Sequence, residues 1–236
     1  MHIPPQSMEI EKIYSQQQRE NSRSIAVCSA NEGEGVTSVA LALAQRNLLA
    51  GHSTLVVDLN LYRPALNTLL ILDEPVLECG VFDTPRIVTV QKQPIALIGI
   101  TSPTQRDLVM KLRQPGVLEE IIIEWEKSFD IIIFDTSPLN RINGRNIPAE
   151  RVAEACDGCL MVVLAGNTTE AMVSTAIEKL KCTKAMLLGC VLNDRNNPSL
   201  KSELLRETRR LEFLGSGLVK RIGNWMRNSH LLSMEI

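Results

Sequence analysis

The stretch "SANEGEGVTS", residues 29–38, follows the apolar run "SIAVCSA" and leads into "TSVALALAQRNLLAG". The first run is rich in strand formers. The second has helical patterning that stops at Gly51. Between them, Gly33 and Gly35 let the backbone curl so that successive N–H groups point inward, a nest for an anion at a helix start. The Ala- and Leu-rich helix directs the positive end of its dipole at the same spot. Thr37 stands where a hydroxyl can reach a divalent cation, and Glu34 and Ser38 complete the loop. A lysine is expected just before that threonine, but Val36 occupies the place. A pair of glycines between strand and helix also serves as a plain turn, so the reading depends on what else reaches that edge.

Outward from the loop, further apolar runs alternate with helical patterns. "STLVVDLN" (53–60), "IALIGI" (95–100), "FDIIIFDTS" (129–137), "GCLMVVLAG" (158–166) and "AMLLGCVLND" (185–194) read as strands. Their near-continuous hydrophobicity predicts strands covered on both faces. "QPGVLEEIIIEWEKS", "NIPAERVAEAC" and "TTEAMVSTAIEKLKC" read as helices, with Thr168 opening the last. Alternating strands and helices predict βαβ units: an α/β fold, one domain with a mostly parallel central sheet flanked by helices. Segment 71–94, with Pro75, Gly80, Pro85 and Pro94, reads as an irregular excursion. The expected organisation is an N-terminal helical or extended segment 1–23, a main domain 24–210 and an amphipathic C-terminal tail 211–236.

Ligands of parallel sheets bind beyond the carboxyl ends of the strands. "TLVVDLNLYRP" brings Asp58 to that edge, and "FDIIIFDTSP" brings Asp135. Two acids facing an anion nest make chemical sense if a divalent cation lies between them and phosphate oxygens. Each alone could simply cap neighbouring backbone N–H groups.

Composition narrows the partners. The 236 residues are 44% hydrophobic and 22% charged, ordinary for a soluble globular chain. A net charge of -2 supplies no global attraction to nucleic acid or anionic lipid, and none to nucleic acid is expected. No apolar run reaches the roughly 18–20 residues that span a bilayer, and the start lacks a secretory apolar segment. The six cysteines mostly lie in apolar runs such as "SIAVCSA" and "LLGCVLN", where they read as small buried hydrophobes. "CDGC" (156–159) has redox or zinc spacing without a second Cys/His pair. Together these features predict a cytoplasmic protein with reduced thiols.

The motifs "SANEGEGVTSVALALAQ", "TLVVDLNLYRPAL", "FDIIIFDTSPL", "DGCLMVVLAGNTT" and "LLGCVLND" resemble the MinD/ParA class of P-loop ATPases. Within it the chain is most similar to bacterial tyrosine kinases of capsule and exopolysaccharide synthesis, over about residues 24–195. The resemblance implies ATP or ADP with Mg²⁺ held by residues 33–38, Thr37 and Asp135 at the metal, Asp58 near the attacking group and Asn193 at the base. It also implies a cytoplasmic domain, peripheral at the inner membrane. The expected partner is the cytoplasmic part of an inner-membrane polysaccharide-synthesis protein, with self-association into a dimer or higher oligomer.

Departures from the family pattern are equally specific. Val36 replaces the lysine that neutralises the β- and γ-phosphates and puts apolar surface where polyphosphate would lie. Arg63 and Arg23 are the cations considered as replacements. Asn60 replaces the second acid of D-x-D, the Glu/Arg pattern for ring assembly is missing from the N-terminal segment, and the tail contains no tyrosine. These departures predict weakened or absent nucleotide binding and impaired phosphoryl transfer, hence a regulator or scaffold. The alternatives are an active ATPase or kinase with a substitute cation, and a MinD-like positioning protein. For the latter, "SGLVKRIGNWMRNSH" (216–230) puts Leu218, Ile222, Trp225 and Met226 on one helical face, suited to membrane-surface contact or to packing.

Overall fold

The computed structural model describes residues 3–66, 70–75, 86–89, 96–141, 144 and 146–195. The stretch 216–230, expected to form an amphipathic helix, lies outside the described residues. The chain divides into two compact units, Met1–Asn193 and Asp194–Ile236.

Six apolar runs form the expected parallel strands: β1 (Ser24–Ser29), β2 (Thr54–Leu59), β5 (Ala96–Ile100), β6 (Ile131–Thr136), β7 (Gly158–Leu164) and β8 (Leu187–Asn193). Segment 71–94 is not simply irregular. It contains β3 (Leu70–Pro75) and β4 (Arg86–Thr89), which add an antiparallel ribbon beside β5. The sheet order is β3-β4-β5-β2-β6-β1-β7-β8. Pro75, which lacks an N–H, is tolerated because it ends an edge strand.

Side-chain alternation along the strands builds two cores. Ile25, Val27, Val56, Ile131, Ile133, Leu160 and Val162 face α2 (Val36–Leu49), against which α1 (Met8–Arg19) packs. Ala26, Cys28, Leu55, Val57, Ile132, Phe134, Cys159 and Met161 face the other side. There α3 (Arg106–Leu112), α4 (Val117–Trp125), α5 (Ala149–Ala155) and α6 (Glu170–Lys181) contribute Leu112, Leu118, Trp125, Val152 and Leu180. Strands β1, β2 and β6 are buried throughout, as continuous apolar runs predict.

Strand β8 departs from that expectation. Among the described residues it pairs with β7 alone, and along it Cys190 and Leu192 are exposed. An apolar run therefore does not guarantee two covered faces at an edge, and Cys190 is not the buried hydrophobe its neighbours suggest. A second correction concerns α6, whose N-cap is Thr169, with Oγ1 accepting from Met172 N at 3.4 Å. Thr168 is used elsewhere.

α1 is fixed to α2 by a mixed contact. Arg46 bonds both oxygens of Glu11, at 2.6 and 3.0 Å, while its guanidinium lies 4.0 Å from the Tyr14 ring centroid. Ile10 and Gln17 bury the inner face of α1, and Gln17 exchanges amide hydrogen bonds with Asn47. No helix among the described residues is long and apolar enough to cross a membrane.

Candidate functional site

At the carboxyl edge of the sheet, β1 runs into the glycine loop and the loop into α2. Gly33 and Gly35 have φ of 75° and 105°, the left-handed region that a side chain strains. Gly35 is also sterically required, since a Cβ there would meet Asn193 Nδ2 at 2.5 Å. Asn193 ends β8 and donates from Nδ2 to the carbonyl of Glu34 at 2.7 Å, tying β8 to the loop.

Glu34 is fully buried. Its Oε1 accepts from Asn31 N at 3.0 Å, Asn31 Nδ2 at 3.1 Å and Thr168 Oγ1 at 2.7 Å, whereas Oε2 has no partner. The loop is thus pinned from inside by its own glutamate and from β7 by Thr168. Sequence reading missed Thr168 as a loop residue; the only trace is the tandem "TT" at 168–169, one threonine more than a cap needs.

The structure brings Thr37 and Asp135 together. Thr37 Oγ1 donates to Asp135 Oδ2 at 2.6 Å, while Asp135 Oδ1 is buried without a hydrogen-bond partner. Burial, followed by the nearby charge of Asp58, raises the Asp135 carboxyl to about 7; the Thr37 hydroxyl and the Asn60 side chain pull it back. Register pairs Asp58 directly with Asp135 across β2 and β6. Asp58 is buried as well, which raises its pKa. Its oxygens accept from Asn60 N at 2.9 Å, Ala65 N at 2.7 Å and Leu66 N at 3.0 Å. Those bonds organise the loop after β2, the capping role open to any strand-end aspartate.

Val36, the first residue of α2, lies in the core, 7% exposed among Ile25, Val27 and Val39. It therefore does not line the cradle with apolar surface, contrary to expectation: at the first turn of α2, a branched aliphatic group gains more by joining the core. Arg23 also fails as a replacement cation. It precedes β1 at the opposite edge, where its guanidinium donates to the carbonyls of Glu126, Phe129 and Asp130. Arg63 follows β2 at the proper edge and is exposed, its backbone N–H donating to Asn60 Oδ1 at 3.1 Å.

The donor set suits a small hard cation: one hydroxyl and one carboxylate with a free, buried oxygen, beside a curled run of backbone N–H groups. No group of three or more His, Cys, Asp or Glu fit for a metal occurs among the described residues. Magnesium sites commonly take one or two protein oxygens and fill the rest with water and phosphate. The residues fit such an ion, while the lysine position supplies no charge for the phosphate chain.

The fold and the glycine loop at its carboxyl edge share the architecture of solved P-loop proteins such as MinD. The chain is similar to tyrosine-protein kinase YwqD of Bacillus subtilis, 25% identical over 179 residues, covering 73% of each chain. It is 29% identical over 184 residues to tyrosine-protein kinase CpsD of Streptococcus agalactiae, covering 73% of this chain and 74% of that one. The succinoglycan biosynthesis transport protein ExoP of Rhizobium meliloti is 25% identical over 181 residues, 73% of this chain but 22% of ExoP. No protein-family model matches.

Among solved structures, the chimerical protein CapA2B2 superposes with a TM-score of 0.61 at 22% identity, covering 80% of this chain and 86% of that one. The kinase domain of Escherichia coli tyrosine kinase ETK gives 0.57 at 20%, covering 76% and 70%. MinD of Pyrococcus horikoshii OT3, complexed with Mg-ADP, gives 0.51 at 18%, covering 75% and 72%. The chain has the fold of these proteins, and its relatives YwqD and CpsD are named as tyrosine-protein kinases.

Proposed function

We propose that this protein binds ATP or ADP with Mg²⁺ weakly at the glycine loop, transfers phosphate poorly, and acts as a regulator or scaffold in capsule or exopolysaccharide synthesis. One observation carries the biochemical part: an intact loop, threonine and aspartate coexist with a buried valine at the lysine position. Thr37 and Asp135 would hold the metal, which supplies Lewis-acid neutralisation of phosphate charge. The N–H groups around Gly33, Gly35 and Ser38 would hold the phosphates, with Asn193 bracing the loop beside the base.

A missing charge-assisted hydrogen bond weakens binding roughly tenfold to hundredfold. Transfer suffers more, because phosphoryl transfer relies on electrostatic stabilisation of developing charge. The pathway assignment is supported by a relative named for succinoglycan biosynthesis, and the kinase-like part by relatives named as tyrosine-protein kinases. On this reading the protein is cytoplasmic and docks on the cytoplasmic part of an inner-membrane polysaccharide-synthesis protein as a dimer or larger assembly.

The test is titration of the purified protein with a fluorescent ATP analogue plus Mg²⁺, followed by a turnover assay, for wild type and Val36→Lys. Weak binding with turnover only in the lysine variant is expected. Turnover by wild type at rates typical of kinases, about 1–100 per second, would contradict impaired transfer.

A further inference from the structure

The geometry points to Arg141 as the cation that meets the phosphate chain in place of the missing lysine, with Glu32 as the internal anion it leaves in order to do so. This rests on the nucleotide-binding reading above and assigns the charge that reading lacks.

The placement is built into the backbone. After β6, Leu139 N donates to Ser29 O at 2.8 Å and Asn140 N to Ala30 O at 3.0 Å, stitching this loop to the first residues of the glycine loop. Arg141 follows immediately. Its Nη2 lies 3.1 Å from Glu32 Oε1, directly before Gly33, and its guanidinium carbon lies 5.8 Å from the Tyr62 ring centroid. The group therefore spans the glycine loop, the loop after β2 and the loop after β6. All three leave the sheet at the edge where Asp135 keeps a buried oxygen without a partner.

The contact is suited to exchange. Arg141 and Glu32 are 53% and 45% exposed in their side chains, so water screens the pair and the pair holds weakly. A phosphate oxygen beside the loop N–H groups offers a guanidinium fork a stronger, two-point partner. Glu32 has a second effect: its carboxylate beside Gly33 repels an incoming anion unless Arg141 neutralises it. Polyphosphate and Glu32 thus compete for one guanidinium. Among the other described cations, Lys179 Nζ donates to Leu139 O at 2.5 Å, Arg23 sits at the opposite edge, and Arg63 is exposed on the loop after β2, whereas Arg141 is the one paired with a residue of the glycine loop.

Equilibrium titration of the full chain with a fluorescent ATP analogue and Mg²⁺ tests the assignment. Arg141→Ala is expected to weaken binding roughly tenfold or more, with an unchanged thermal unfolding curve because the side chain is exposed. Glu32→Gln should tighten binding several-fold in the wild-type background, since it frees the guanidinium and removes a like charge beside the loop. Adding Val36→Lys to Arg141→Ala should restore binding. The assignment is overturned if Arg141→Ala binds like wild type. It is also overturned if Glu32→Gln weakens binding in the wild-type background, or if wild type fails to bind while Val36→Lys binds. Failure of both wild type and Val36→Lys to bind would sink the nucleotide reading itself, and the assignment with it.

Discussion

Strand β6 carries an aspartate near each end, and the two have opposite environments. At the amino edge, Asp130 accepts from the backbone N–H and hydroxyl of Ser53, both at 2.8 Å, and those bonds hold its pKa below the usual carboxylate value. Nearby, Asp157 takes the N–H groups of Arg23 and Ser24, each at 2.8 Å, closing the entry to β1. At the carboxyl edge, Asp135 takes the Thr37 hydroxyl, keeps Oδ1 buried without a hydrogen-bond partner and has a second buried acid beside it, and its pKa rises to about 7. Acids at the first edge complete the fold, whereas the acid at the second keeps a buried oxygen without a hydrogen-bond partner.

The largest effect expected from this contrast is at the amino edge. Asp157→Ala strands two backbone donors and should cost about 3 kcal/mol in denaturant unfolding. A loss under about 0.5 kcal/mol would show that water replaces the carboxylate and that the two edges differ less than the hydrogen bonds indicate.

Asp135→Asn should act in the opposite direction. Between about pH 4, where the unfolded chain releases this proton, and about 7, where the folded protein does, the native state holds the extra proton. This group's contribution to stability therefore falls as pH rises through that window. The asparagine removes the penalty, so the variant should be more stable than wild type by on the order of 2 kcal/mol at pH 8 and equal to it near pH 4. Paired unfolding curves at the two pH values check it. Equal stability at pH 8 would mean that the carboxylate is solvated after all.

A smaller effect is expected at the loop itself. Thr168→Val removes the hydroxyl that donates to Glu34 at 2.7 Å and should cost about 1 kcal/mol. Hydrogen exchange should quicken in residues 31–35 more than in β7. Uniform loosening of the whole domain would contradict a local pin.

Much of this contrast is legible in the sequence. Continuous apolar runs ending in Asp58 and Asp135 locate both acids, and "GEG" before an Ala-rich helix locates the nest. The local pattern suffices because a strand's last residue must emerge at its carboxyl edge. What depends on packing is not legible. The β3–β4 ribbon hides in a proline-bearing segment, and α3 is a seven-residue helix. The inward placement of Val36 follows from the core beside α2. The bonds of Glu34 to Thr168 and Asn193, and of Glu32 to Arg141, join residues more than a hundred positions apart. No periodicity reports such contacts. The exposure of β8 was misread for a related reason: hydrophobicity states what a strand could bury, whereas position in the sheet decides what it does bury.

The central claim is that Asp135 and the glycine loop form a site completed by a divalent cation and a phosphate chain. Its most direct test is the affinity for ADP measured calorimetrically with and without Mg²⁺ from pH 6 to pH 8. Cation and proton compete for the same buried carboxylate, so the account predicts Mg²⁺-dependent binding that strengthens as pH rises through about 7 and loses that pH dependence in Asp135→Asn. Binding indifferent to Mg²⁺ and pH, or no binding by either wild type or Val36→Lys, would contradict it.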